Sequence, residues 1–212
     1  MYIQYSKDEL TVMQQVGAAA DRLGFPCYLV GGFVRDKLLG RPCKDMDFVC
    51  IGDAAVLAAK VAEESGSFKQ VSIFKHFGTA HIHFDKFDVE FVGARKESYA
   101  EHSRKPSVEA GTLEDDQHRR DFTINAMAVA VNAENFGEFL DPFEGVKDLD
   151  RGIIRTPLAP AQTFSDDPLR MLRAIRFASQ LGFSIDAETW HGILDSANRL
   201  KIISAERIAE ET

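Results

Sequence analysis

The stretch YLVGGFVRDKLLGRPCKDMDFVC, from Tyr28 to Cys50, constrains the fold more than any other part of the chain. Two apolar segments of strand type enclose a Gly-Gly pair, a short helical run and the alternating acids Asp45 and Asp47. In an extended strand, residues i and i+2 share a face, so the two carboxylates project the same way. They repel, and a cation offsets that cost; Mg²⁺ is the ready choice for hard oxygen donors. Gly31 and Gly32 follow a strand and open a helix, where backbone N–H groups can approach a phosphate. An ordinary tight turn explains a lone Gly-Gly equally well, and a solvated strand edge explains a lone DMD. Coupled at short range, the two describe a nucleoside triphosphate held with Mg²⁺. The stretch is neither a Walker loop nor a dinucleotide GxGxxG.

Around this segment the periodicity predicts a helix over Lys7 to Leu23, closed by Gly24 and Pro26, then a strand Cys27 to Val30 and a helix Phe33 to Leu39. MDFVCIG reads as a second strand, followed by a helix with Asp53 as N-cap and Gly66 beyond its end. FKQVSIF, TAHIHFD and FDVEFVGA are three strand candidates, and Phe74, Phe77, Phe84, Phe87 and Phe91 are core candidates. After Leu113 the pattern turns mainly helical, interrupted by extended GEFLDPF and GIIRT. A helix runs from Pro168 to about Leu181, another spans Ala187 to Ala197, and a third starts near Ser204. The expected fold class is α/β, a small mixed sheet flanked by helices, with a head domain over 1–157 and a helical region over 158–212.

Charge narrows the partners. A formal net charge of −8 argues against indiscriminate coating of nucleic acid, so any RNA contact is local. The chain shows no apolar run long enough to span a membrane and no secretion signal at its N-terminus, and the cytoplasm is the expectation. Cys27, Cys43 and Cys50 fit no zinc spacing and read as buried free thiols. His81 and His83 share a strand face without a third ligand at suitable spacing. Oligomeric state is not legible.

GGFVRD followed by DMDF resembles the class II nucleotidyltransferase superfamily, which contains bacterial tRNA CCA-adding enzymes and poly(A) polymerases. The resemblance continues in order through Glu90 to Arg95, RRDFTINAMA from Arg119, DDPLRMLRAIRFA from Asp166, and SAERIAEE from Ser204. It implies a polymerase-beta-like nucleotidyltransferase head followed by an all-helical neck, with further C-terminal domains beyond. It also implies a mobile loop around residues 94–111.

Carried over residue by residue, the resemblance makes Asp45 and Asp47 the ligands of catalytic Mg²⁺ and Glu90 the third catalytic acid, with Asp88 open as its substitute. Gly31, Gly32, Arg35, Arg119, Arg120 and Asn125 would contact the nucleotide or organise its site, and Asp121 would select ribose. On the Pro168 helix, Arg170, Arg173 and Arg176 fall within one arc and are expected to bind the nucleotide, with Met171, Leu172, Ala174, Ile175, Ala178 and Leu181 on the remainder as core. Asp167 and Arg170 match the pair that hydrogen-bonds the incoming base in the resembling enzymes. Asp166 stands where the family usually has Glu, and is expected to cap the helix. The implied activity is template-independent, Mg²⁺-dependent addition of C and A from CTP and ATP to the 3′ end of tRNA. A poly(A) polymerase, a CC-only or A-only adding enzyme, and a catalytically silent nucleotide- or RNA-binding module are the alternatives.

Overall fold

The computed structural model describes residues 3–65, 71–74, 78–84, 86–98 and 107–211. Expectations for Gly66, Phe77, Asp85 and residues 68–70 and 99–106 lie outside the described residues. The chain divides into two compact units: Met1–Lys96, Glu109–Asp116 and Met127–Asp141 form the first, and Glu97–Val108, Gln117–Ala126 and Pro142–Thr212 the second.

In the first unit, α1 (Lys7–Leu23) starts at a capping box in which Ser6 and Glu9 satisfy each other's backbone N–H groups, and stops at left-handed Gly24. It is followed by β1 (Cys27–Val30), α2 (Gly32–Leu38), β2 (Asp45–Cys50), α3 (Ala54–Glu64), β3 (Val71–Phe74), β4 (Thr79–Phe84) and β5 (Phe87–Gly93). Asp53 caps α3 as expected, accepting from the Ala55 and Val56 N–H groups. Next in the chain come β6 (Arg95–Ser98) and β7 (Ser107–Ala110), which pair as a separate ribbon, so the ends of the segment expected as a loop are extended and paired. After α4 (Leu113–His118), the strands β8 (Ala128–Ala130) and β9 (Phe139–Leu140) complete a seven-stranded sheet of order β3-β4-β5-β2-β1-β8-β9. All neighbours are antiparallel except β2 and β5, which run parallel, the intervening α3, β3 and β4 providing the crossover.

Strand β8 corrects the mainly helical reading after Leu113. Its residues Ala128, Val129 and Ala130 are buried on both faces. A short alanine-rich strand with no exposed side therefore lacks the alternation that would distinguish it from helix. Phe74 is a second correction: it is 47% exposed on the edge strand, while Phe84, Phe87 and Phe91 are buried. Alternation along β2 and β5 sends Met46, Phe48, Val89 and Phe91 into the core. Helix α3 packs against both strands there, with Leu57, Ala58 and Val61 buried. Cys27 and Cys50 are buried free thiols that face each other in register across β1 and β2, and Cys43 is half-buried. Burial raises all three thiols, Cys50 to about 12.

Gly17 marks the closest approach of α1 to the sheet side: a Cβ there would meet the Val131 carbonyl oxygen at 1.9 Å. The obstacle is backbone and cannot rotate away. Gly17→Ala is therefore expected to destabilise by about 2–3 kcal/mol despite alanine's better helix propensity, read from urea midpoints; an unchanged or raised midpoint would show that α1 can shift outward at no cost.

The second unit carries α5 (Gly145–Arg151), β10 (Ile153–Ile154), α6 (Pro160–Asp166), α7 (Leu169–Leu181), β11 (Ser184–Ile185), α8 (Ala187–Ser196) and α9 (Ala205–Glu210). Strands β10 and β11 form a short parallel pair, and α6 packs on α8. Helix α7 buries Leu169, Arg170, Met171, Ala174 and Phe177 and ends at left-handed Gly182. Ile175, expected in the core, is 48% exposed. The reason is the arginines: Arg170 is itself buried, so the inward face of α7 is turned from the one that hydrophobicity alone selects.

Candidate active site

The candidate residues form two sets, one on each unit. In the first unit, Val30 ends β1 and Gly31 turns the chain with φ +73°, a left-handed region that suits glycine and strains other residues. Gly32 opens α2, and an ideal Cβ there would lie 3.5 Å from Arg35 Nη2, so the Arg35 guanidinium sits beside the glycine turn. Arg35 is buried and forks onto Asp36, with Nε–Oδ1 and Nη2–Oδ2 both 2.9 Å.

The acids of β2 and β5 are aligned by the parallel register. Asp45 lies beside Asp88 and Asp47 beside Glu90, while the intervening residues are core, so all four carboxylates share the face opposite the core. Asp45 is exposed and Asp47 half-buried. On the next strand, His81 is in register with Glu90 and His83 with Asp88. His81 Nε2 lies 3.3 Å from Glu90 Oε1, and His83 Nδ1 lies 2.7 Å from Asp88 Oδ1. The histidines thus flank the acid row, a role their sequence spacing did not reveal.

Among the described residues, no group of three or more His, Cys, Asp or Glu side chains is placed to hold a metal ion unaided. The donor set nevertheless fits Mg²⁺, which keeps water and phosphate ligands and is commonly held through one or two carboxylates. Asp45 and Asp47 supply that pair of hard oxygen donors on one face.

The second unit holds the arginine set. Asp121, 8% exposed, accepts at Oδ1 from the Phe122 N–H (2.8 Å) and Asn125 Nδ2 (2.9 Å), and at Oδ2 from Arg173 Nε (2.8 Å). Burial pushes its carboxyl up, but the Arg173 charge and the Asn125 hydrogen bond outweigh that and hold it below the usual carboxylate range. Arg173 also pairs with Glu211 Oε1 at 3.3 Å, and Arg176 Nε reaches Glu211 Oε2 at 2.6 Å. Both guanidinium groups lie over the Phe177 ring. Arg120 Nη1 donates to the Asn125 carbonyl at 3.3 Å.

Arg170 braces two backbone segments, donating from Nη1 to the Thr163 carbonyl (3.3 Å) and from Nη2 to the Arg119 carbonyl (2.6 Å). Asp167 Oδ1 accepts from the Leu169 N–H at 3.1 Å, one residue past Pro168, the N-cap of α7. Asp121, Arg173, Arg176 and Glu211 therefore form one partly buried ion-pair network, and the arginine stripe is not a freely solvated cationic face. Glu211 escaped the sequence reading because nothing local pairs it with α7.

A mixed sheet that presents paired carboxylates on the strand after a Gly-Gly turn, followed by a helical region, is the fold of a nucleotidyltransferase head. Comparison with known proteins agrees: the model of the poly A polymerase head domain matches residues 27–155, and that of the probable RNA and SrmB-binding site of polymerase A matches 182–212. The chain belongs to the poly A polymerase head-domain family. It is 43% identical over 190 residues to the A-adding tRNA nucleotidyltransferase of Aquifex aeolicus, covering 86% of this chain and 23% of that protein. It is 39% identical over 191 residues to the CCA-adding enzyme of Lactiplantibacillus plantarum, covering 89% of this chain and 44% of that one. A crystal structure of a tRNA nucleotidyltransferase complexed with a primer tRNA and an incoming ATP analog superposes with a TM-score of 0.80 at 40% identity, over 92% of this chain and 54% of the other. The chain thus spans about half or less of the length of these proteins.

Proposed function

We propose that this chain is the catalytic portion of a tRNA nucleotidyltransferase that adds C and A from CTP and ATP to the tRNA 3′ end and releases pyrophosphate. The carboxylate row formed by Asp45, Asp47 and Glu90 on paired strands beside the Gly31–Gly32 turn carries this reading. The family membership supports it. Asp45 and Asp47 are the proposed Mg²⁺ ligands; when bound there, the metal would lower the pKa of the primer 3′-hydroxyl and stabilise charge on the attacked α-phosphate. Gly31 and Gly32 leave room for triphosphate oxygens near the Arg35 guanidinium. Arg119, Arg120 and Asn125 are proposed to organise the nucleotide site around Asp121. Asp121 would take the ribose 2′-hydroxyl by exchanging one of its present donors.

Asp167 and Arg170 are proposed to read the base. Arg170 uses two of its guanidinium N–H groups on backbone carbonyls, which fixes the plane of the fork and leaves donors for ring acceptors of C or A. Arg173 and Arg176 hold the frame through Glu211. Pro157 is the proposed boundary between head and neck.

A second reading, A-only addition, is favoured by the similarity to the Aquifex aeolicus protein. Two tRNA transcripts separate the readings, one ending at the discriminator base and one ending in CC, each incubated with protein, CTP, ATP and Mg²⁺. Three added nucleotides on the first supports CCA addition. Extension of the second alone, by one A, supports A-only addition. A long tail indicates a poly(A) polymerase, and no extension of either overturns the transfer reading.

A further inference from the structure

Glu90 is flanked on both sides in the sheet: Asp47 lies beside it on β2 and His81 beside it on β4. Adjacent strands stand about 4.8 Å apart, close enough for like charges directly opposite to repel. Left to itself, the Glu90 side chain would swing away from Asp47 over a range of rotamers. It meets His81 instead, Nε2 to Oε1 at 3.3 Å, and no hydrogen bond or ion pair engages its Oε2 among the described residues. The imidazole is itself restrained, because the Phe74 ring on the edge strand packs against it edge to face with centroids 5.3 Å apart. That contact gives a physical reason for Phe74 to lie on this face although it is 47% exposed.

We propose that His81 is a positioning residue for Glu90: its Nε2 stands 3.3 Å from Oε1, a polar contact that keeps the carboxylate beside Asp47 with Oε2 turned away, while Phe74 fixes the ring. The three side chains form a strut across β3, β4 and β5. The pair is half-exposed, so it contributes little to stability, and its effect lies in where one carboxylate oxygen points. The His83–Asp88 pair one step along the strand is closer, a hydrogen bond of 2.7 Å, but Asp88 neighbours Asp45, and its histidine has no aromatic contact in the described structure.

This inference rests on the nucleotidyl-transfer reading for its kinetic arm alone. His81→Ala is expected to lower kcat about tenfold, the scale on which outer-shell polar contacts to site residues act. KM for ATP and the melting temperature should be unchanged. His81→Gln, which can place an N–H near the same position, should recover to within about threefold of wild type, and Phe74→Ala should show a smaller loss of kcat. A His81→Ala kcat within twofold of wild type, or no recovery in His81→Gln, would overturn the proposal. The second arm needs no activity: long-range ¹⁵N–¹H correlation spectra should show the neutral His81 ring protonated at Nε2, with its resonances displaced in Glu90→Gln. Protonation at Nδ1 alone would overturn the strut even in an active enzyme. If the wild-type protein adds no nucleotide, the functional reading fails while the spectra still decide the strut.

Discussion

Asp45→Ala and Asp47→Ala are each expected to reduce nucleotide addition by at least about three orders of magnitude. Metal-supplied charge stabilisation amounts to several kcal/mol, and each 1.36 kcal/mol is a decade in rate. The Asp45 carboxylate is exposed and makes no protein contact in the described structure, so its removal should leave the unfolding free energy within about 0.5 kcal/mol of wild type. Gel-resolved primer extension beside urea unfolding separates chemistry from fold. An Asp45→Ala protein with wild-type extension rates would remove β2 from the chemistry.

Asp121→Ala should act on the fold as well. Its carboxylate is buried, satisfied at both oxygens and ion-paired with Arg173, so truncation leaves a partly buried guanidinium without its nearest counter-charge and the Phe122 and Asn125 donors without their acceptor. Removing one partner of a fully buried pair costs about 3–5 kcal/mol; with Arg173 one third exposed and still beside Glu211, about 2 kcal/mol is expected, measurable by denaturant or thermal unfolding. The sign of the pH dependence follows from the depressed carboxyl. Its stabilisation is fully present above the unfolded-state value near 3.9 and is lost as pH falls through the lower folded-state value. Wild-type stability should therefore show an acid loss below about pH 4 that Asp121→Asn lacks. An Asp121→Ala protein as stable as wild type would show that Arg173 finds full compensation in Glu211.

The sequence disclosed the strand, glycine turn, helix and acidic strand from Cys27 to Cys50 because each step depends on residues a few positions apart: periodicity, a cap, an i and i+2 pair. It also disclosed the parity of the acids on β5, but not that Glu90 rather than Asp88 lies beside Asp47, since register is a relation between strands. β8 was hidden by its alanines. The helical wheel of α7 placed Ile175 in the core because it treats arginine as an outward residue. Asp121 and Glu211 turn Arg173 inward from distant parts of the chain, and no window along α7 contains them. The placement of the candidate residues was thus legible on β2 and obscured wherever a buried charge decided orientation.

The alternation of β2 has a consequence for how this domain tolerates change in length. Met46 and Phe48 point into the core while Asp45 and Asp47 point away from it. Deleting one residue inside the strand would do more than shift the acids by a single step; it would reverse the facing of every residue on one side of the deletion, turning a carboxylate inward or a core side chain outward. The same deletion at residues 42–43, just before the strand, leaves that parity intact and shortens a connection that takes part in no backbone–backbone hydrogen bond among the described residues. A change of length there is therefore expected to cost little, whereas inside the strand a single-residue indel is expected to cost core packing and the common facing of the two acids together. Acids and core share one reading frame.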